Sequence, residues 1–207
     1  MDMTNKIMRR IFLLSLIFLC LSGYSQLMIG GDAVMLLDER KFFVGPGIWI
    51  GHATSSRGII DLRASITLPH IENISGTTGG PRAISVGDTT RKSFTGTRST
   101  TRQQLTIGAS HSLREIGHGP YVGVQAGFCR YITTSETNVT VLSTGANYDN
   151  WHRSARMSLV STLYFGFRSN GSRKYFITEA GVLVAGDGDH GLMFAPQARI
   201  GYRWILD

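Results

Sequence analysis

The sixteen residues from Gly191 to Leu206, close to the carboxyl end, constrain the chain most. One alternate set is Leu192, Phe194, Ala198, Ile200, Tyr202, Trp204 and Leu206; the other includes Ala195, Gln197, Arg199, Gly201 and Arg203. Successive side chains of a β-strand point to opposite faces, so these sets lie on opposite sides. One face is apolar and ends in aromatics. The other is polar, cationic or small. A fold built on such strands must present its two faces to different surroundings, and the direction of the apolar face decides which fold it is.

The pattern recurs upstream in seven segments, at about 27–37, 41–53, 58–68, 101–113, 119–132, 153–168 and 173–185. The third is among the cleanest, with Ile60, Leu62, Ala64, Ile66 and Leu68 against Asp61, Arg63, Ser65 and Thr67. The sixth sets Met157, Leu159, Leu163, Phe165 and Phe167 against Arg156, Ser158, Thr162, Tyr164 and Arg168. In the seventh, Tyr175, Ile177 and Leu183 blur the alternation. Twenty-five glycines, five prolines and recurrent Ser/Thr clusters also favour all-β structure.

The amino terminus reads differently. Lys6, Arg9 and Arg10 precede a short apolar run from Ile11 to Leu21, then Gly23-Tyr24-Ser25. These are the parts of a secretory signal peptide, with cleavage expected after Ser25. The run falls short of the roughly 20 apolar residues of a membrane-spanning helix. Residues 1–25 are thus the expected leader, and 26–207 the mature domain. Cys20 goes with the leader, so Cys129 has no partner for an internal disulfide. The formal charge is +7, of which the leader carries a net +2. The remaining +5 is too dispersed to suggest nucleic acid and suits contact with phosphate-bearing lipid.

Connections between the segments show a second regularity. Those at about 69–100 and 133–152 are long, and the others are short. Both long ones are odd-numbered, and in an up-and-down meander the odd connections share one end. Membrane barrels have short turns at one end and longer loops at the other. The polar faces collect Asp32, Asp61, Arg63, Gln104, Gln125, Arg156, Glu179, Gln197, Arg199 and Arg203, with no lysine. Soluble surfaces are usually rich in Lys and Glu, whereas this mixture suits a narrow barrel interior where acids and arginines pair. With the amino terminus in the periplasm, Phe165, Phe167, Phe176, Tyr202 and Trp204 group at one rim of the outer face, and Phe42, Phe128 and Phe194 at the other. Two such aromatic girdles are expected at membrane interfaces. The expected fold is an eight-stranded antiparallel up-and-down transmembrane β-barrel.

The Gly23-Tyr24-Ser25-Gln26 exit, the alternating strands and the Gly201-Tyr202-Arg203-Trp204 ending resemble the small eight-stranded outer-membrane barrels, the OmpA/OmpX/OmpW-like group. The chain looks most like the barrel-only "porin family" proteins of Bacteroidota. Members of such families usually end on an aromatic residue; here Ile205-Leu206-Asp207 follows Trp204. The resemblance implies a Gram-negative outer membrane, with periplasmic termini and long extracellular loops. An eight-stranded barrel has an interior just wide enough for side chains to fill.

Some barrels of this kind modify lipid A. His152-Arg153-Ser154 resembles the His-x-Ser of lipid A deacylases, but Ala155 stands where that motif has asparagine. No acidic residue is evidently placed to orient the histidine, so His152 and Ser154 are weak catalytic candidates. No cofactor or metal site is expected. The long loops, with Arg82, Arg91, Lys92 and Arg98 in the first, point to lipopolysaccharide or a surface or secretion-complex partner. The expected role is structural or interaction-based, with surface loops displayed around a side-chain-filled lumen. The alternatives are an accessory part of an outer-membrane secretion machine, a lipid A hydrolase and a narrow solute channel.

Overall fold

The computed structural model describes residues 26–38, 41–78, 91–114, 118–169, 171, 173–187 and 191–206. The expected leader, Arg82 and residues 188–190 lie outside them. Nine strands follow one another: β1 (Leu27–Asp38), β2 (Lys41–Ala53), β3 (Gly58–Ile66), β4 (His70–Thr78), β5 (Lys92–Ser112), β6 (Gly119–Val141), β7 (Asn147–Arg168), β8 (Lys174–Asp187) and β9 (Gly191–Leu206). All pairings are antiparallel and up-and-down, and β1 pairs with both β2 and β9. The sheet closes where β3 pairs with β5, giving a ring of eight strands with β4 outside it.

The ninth strand arises from a break in the third segment. Ile66 pairs with Gln103 and His70 with Thr100, so β3 and β4 run along the same partner with one extra residue between them. Such an insertion bends a strand locally. Thr67 and Leu68 stay bonded across the break, to Arg102 and Val44 at 2.8 and 2.7 Å. The third segment therefore ends at Ile66 rather than near residue 68.

Both long connections are largely strand, which corrects the expected loops. β4 reaches Thr78 and β5 already begins at Lys92, so 70–78 and 92–100 are a paired hairpin. β6 runs to Val141 and β7 starts at Asn147. The turn between them is closed by Gly145 N–H donating to Val141 O at 2.8 Å, with Gly145 at φ +70°. That left-handed backbone suits glycine. These strands are rich in threonine, whose branched side chain favours extended structure without an apolar face.

β4 and the distal parts of β5, β6 and β7 thus form a four-stranded sheet that continues beyond the ring. β8 meets β7 only from Leu159 onward. This end is called distal; the other, holding Leu27 and Leu206, is proximal.

Through the ring, the apolar set faces outward. Ile48, Ile107, Leu159, Leu163 and Phe194 are all at least 60% exposed. Soluble monomers rarely expose a continuous apolar surface of more than a few hundred Å², and this one encircles the barrel. The expected aromatics lie on it. Phe176, Tyr202 and Trp204 adjoin one another proximally, with ring centroids 6.2 and 5.6 Å apart, and Phe165 and Phe167 share that end. Phe42 and Phe194 lie distally, at the starts of β2 and β9, and Phe128 pairs with Leu159 where β8 ends.

Candidate functional site

The interior is layered. A proximal apolar cluster contains Met28, Trp49, Ala53, Ile59, Tyr175 and Ile177. A second cluster, toward the distal end, contains Leu36, Phe43, Cys129, Val160, Leu183, Ala185 and Ala195. Tyr175, Ile177 and Leu183, which blurred the alternation of the seventh segment, point inward as parts of these plugs.

Charges fill the space between. Arg63 donates to Asp61 at 3.1 and 3.2 Å, to Tyr164 Oη at 3.0 Å, and to Glu179. Tyr121 donates to the other oxygen of Glu179 at 2.6 Å. Asp32 accepts from Arg203 at 3.0 Å and lies 3.6 Å from Arg199. With their amide oxygens turned toward the guanidiniums, Gln197 accepts from Arg199 at 2.9 Å and Gln125 accepts from Arg63 at 3.2 Å. A buried charge is costly unless paired and hydrogen-bonded; this arrangement pairs each of these charges, and only Asp32 Oδ1 and Arg199 Nη1, facing each other, lack a hydrogen bond among its charged atoms. The voids beside it measure about 10 Å³ each, room for a single water at most.

Two residues of the expected lumen set stand apart. Gln104 is buried, but its amide atoms have no hydrogen-bond partner among the described residues. Arg156 is exposed on the distal wall and is not part of the buried network, because β7 has risen beyond β8 at that height. The sequence set also missed members. Arg168 donates to Ser110 and Ser112 and lies 3.9 Å from the Tyr121 ring centroid. Tyr121 and Tyr164 fold across Gly166 and Gly123 on the opposing strand. A Cβ at either glycine would stand 2.3–2.4 Å from the facing ring. Alternation marked Tyr164 and Arg168 as inward, but only the register brings each tyrosine over its glycine.

Above the distal plug the barrel opens into a basin of about 580 Å³. Phe43, Tyr131 and Asp38 line its deeper part, and Tyr131 donates to Asp38 at 2.8 Å. The protruding sheet walls one side with Arg98, Thr100, Thr133, Ser135, His152, Ser154 and Arg156. Glu72 bridges Lys41 and Arg98 at 3.3 and 3.4 Å across the rim. His152 and Ser154 share the basin face, as their spacing implied. Among the described residues, neither side chain makes a hydrogen bond or an ion pair, and the basin's acidic residue, Asp38, accepts from Tyr131. Among those residues no cluster of three His, Cys, Asp or Glu side chains could hold a metal ion.

An eight-strand ring with its apolar face outward and its ion pairs within has the architecture of the small outer-membrane β-barrels. Similar solved structures include the amino-terminal β-barrel domain of Pseudomonas aeruginosa OprF, at 12% identity, covering 87% of this chain and 99% of that one with a TM-score of 0.48. Yersinia pestis Ail, the attachment invasion locus protein, matches at 10% identity over 88% and 97% of the two chains, with a TM-score of 0.48. Acinetobacter baumannii CarO matches at 12% over 86% and 97%, with a TM-score of 0.42. No family model and no curated protein matches the chain.

Proposed function

We propose that this protein is an outer-membrane scaffold that recognises a partner through the protruding sheet, with its termini periplasmic and its distal end outside the cell. The orientation follows from the rule that outer-membrane barrels keep short turns on the periplasmic side and place longer extensions outside. The observation that carries the proposal is the edge of β7. From Asn147 to Ser158 it pairs with β6 alone among the described residues, since β8 begins pairing at Leu159. An unpaired edge offers main-chain donors and acceptors to an incoming strand. Tyr148 and Trp151 stand exposed along it, at 45% and 61%. The filled middle of the barrel speaks against conduction as the main role, because the voids there are no larger than single waters.

The test is extraction of outer membranes in mild detergent, with mass spectrometry of what remains bound. The expected result is a stoichiometric partner with the wild type, lost when Asn150 and Trp151 are both changed to Lys while the barrel stays folded. Edge lysines oppose strand pairing. A wild-type protein recovered alone, or a partner kept by the double variant, would remove this reading.

A further inference from the structure

The outer wall is hollowed at one place. Toward the distal edge of the apolar band, a groove of about 740 Å³ crosses from β2 to β7. Its floor follows one row of the ladder, where Ile48, Ala64, Leu105 and Phe128 lie side by side. Ala64 makes the hollow. It stands between Ile48 and Leu105, which project at 62% and 51% exposure, and it has only a methyl group to fill the gap. Five strands at the usual spacing give the groove a length of about 19 Å. One leaflet of hydrocarbon reaches about 15 Å, half the thickness of the bilayer core. An acyl chain long enough to cross one leaflet is thus no longer than the groove, and lies in it obliquely across the strands.

The next row up changes character. Gln103 pairs with Arg130, and both line the groove. Arg130 lies on the outer face, two residues beyond Phe128, and is exposed. Its side chain has no ion pair or hydrogen bond among the described residues, whereas the inward Arg63 and Arg203 have carboxylates. An outward arginine beside acyl chains is unfavourable unless it meets an anion or reaches the interface.

We propose that this groove seats one acyl chain of an outer-leaflet lipid with a net-anionic phosphate headgroup, the phosphate being held by Arg130. The proposal rests on the lipid-facing reading of the wall and adds one defined site to it. Arg130 supplies a planar donor suited to phosphate oxygens, and Gln103 places an amide beside it at the polar end.

The experiment is native mass spectrometry of the detergent-purified protein. It is titrated with dimyristoyl phosphatidylglycerol or with its phosphatidylcholine counterpart. The wild type retains one phosphatidylglycerol in preference to phosphatidylcholine. Arg130→Gln lowers that retention about fivefold, the effect of one basic residue at an anionic surface. Ala64→Trp fills the hollow and abolishes it. Equal retention of the two lipids by the wild type, or unchanged retention in either variant, would overturn the proposal. A protein that stays monodisperse without detergent would remove the lipid-facing reading itself. A detergent-dependent barrel that keeps no phosphatidylglycerol would overturn the groove alone.

Discussion

Glu179 and Glu72 have similar partners and opposite settings. Glu179 sits in the closed middle of the barrel, 6% exposed, accepting from Arg63 and Tyr121. Glu72 sits on the protruding sheet, bridging Lys41 and Arg98 with its side chain 28% exposed. In the middle, each charge taken out of water needs a protein partner, carboxylates for Arg63 and serine hydroxyls for Arg168. On the rim, water substitutes for either partner. The middle therefore specifies which face of every strand points inward, and the rim is free to serve recognition.

The largest expected effect comes from breaking the middle. Glu179→Ala leaves Arg63 with one carboxylate, Asp61, and frees the Tyr121 hydroxyl. Removing one partner from a buried pair costs about 3–5 kcal/mol, read as a fall in the urea midpoint of the lipid-embedded barrel. A midpoint unchanged within error would mean that water enters the lumen freely. The next effect separates the band from the sheet above it. Leu163→Arg puts a cation on the outer wall and should cost about 2–4 kcal/mol if that position is near mid-bilayer. Thr97→Arg, on the protruding sheet, should change the midpoint little. Equal effects would show that the two positions share one solvent.

Gly166→Ala sharpens the account of the interlock, since the new methyl meets the Tyr121 ring that the Glu179 bond holds in place. Overpacking of this kind costs about 1–3 kcal/mol. A crystal structure of the variant should show Tyr121 displaced from Glu179, and an undisplaced ring would contradict the account. The smallest effect belongs to Glu72→Ala, at about 0.2–1 kcal/mol in the same unfolding measurement. A loss as large as that of Glu179→Ala would abolish the distinction between the two regions.

The legibility of the chain in its sequence follows the same division. Where a strand meets hydrocarbon on one side and ion pairs on the other, the two faces need different chemistry and the alternation is plain. Asp61 and Arg63 against Ile60 and Leu62 is an example. At the apolar plugs both faces are apolar, so Tyr175, Ile177 and Leu183 hid the direction of β8. Beyond the band both faces meet water, and Thr97, Thr133 and Thr137 read as loop although they are strand. Their β-branched side chains were the one available signal. The basin was illegible for another reason. It depends on how far β7 outruns β8, which is a matter of register rather than composition. His152 and Ser154, two apart on one strand, share a face by alternation alone, and both line the basin.

The central claim, that the oily face meets lipid while the charged face is sealed inside, is tested most directly by the chain's three tryptophans. Trp204 lies on the outer wall, Trp49 is buried in the proximal plug at 3% exposure, and Trp151 stands on the protruding sheet at 61%. Proteins retaining one tryptophan each are placed in bilayers of lipids brominated along the acyl chain, and fluorescence quenching is recorded. Strong quenching of Trp204, with Trp151 quenched by aqueous iodide instead and Trp49 protected from direct contact with either, is the predicted result. Trp204 quenched by iodide but not by brominated acyl chains would contradict the account.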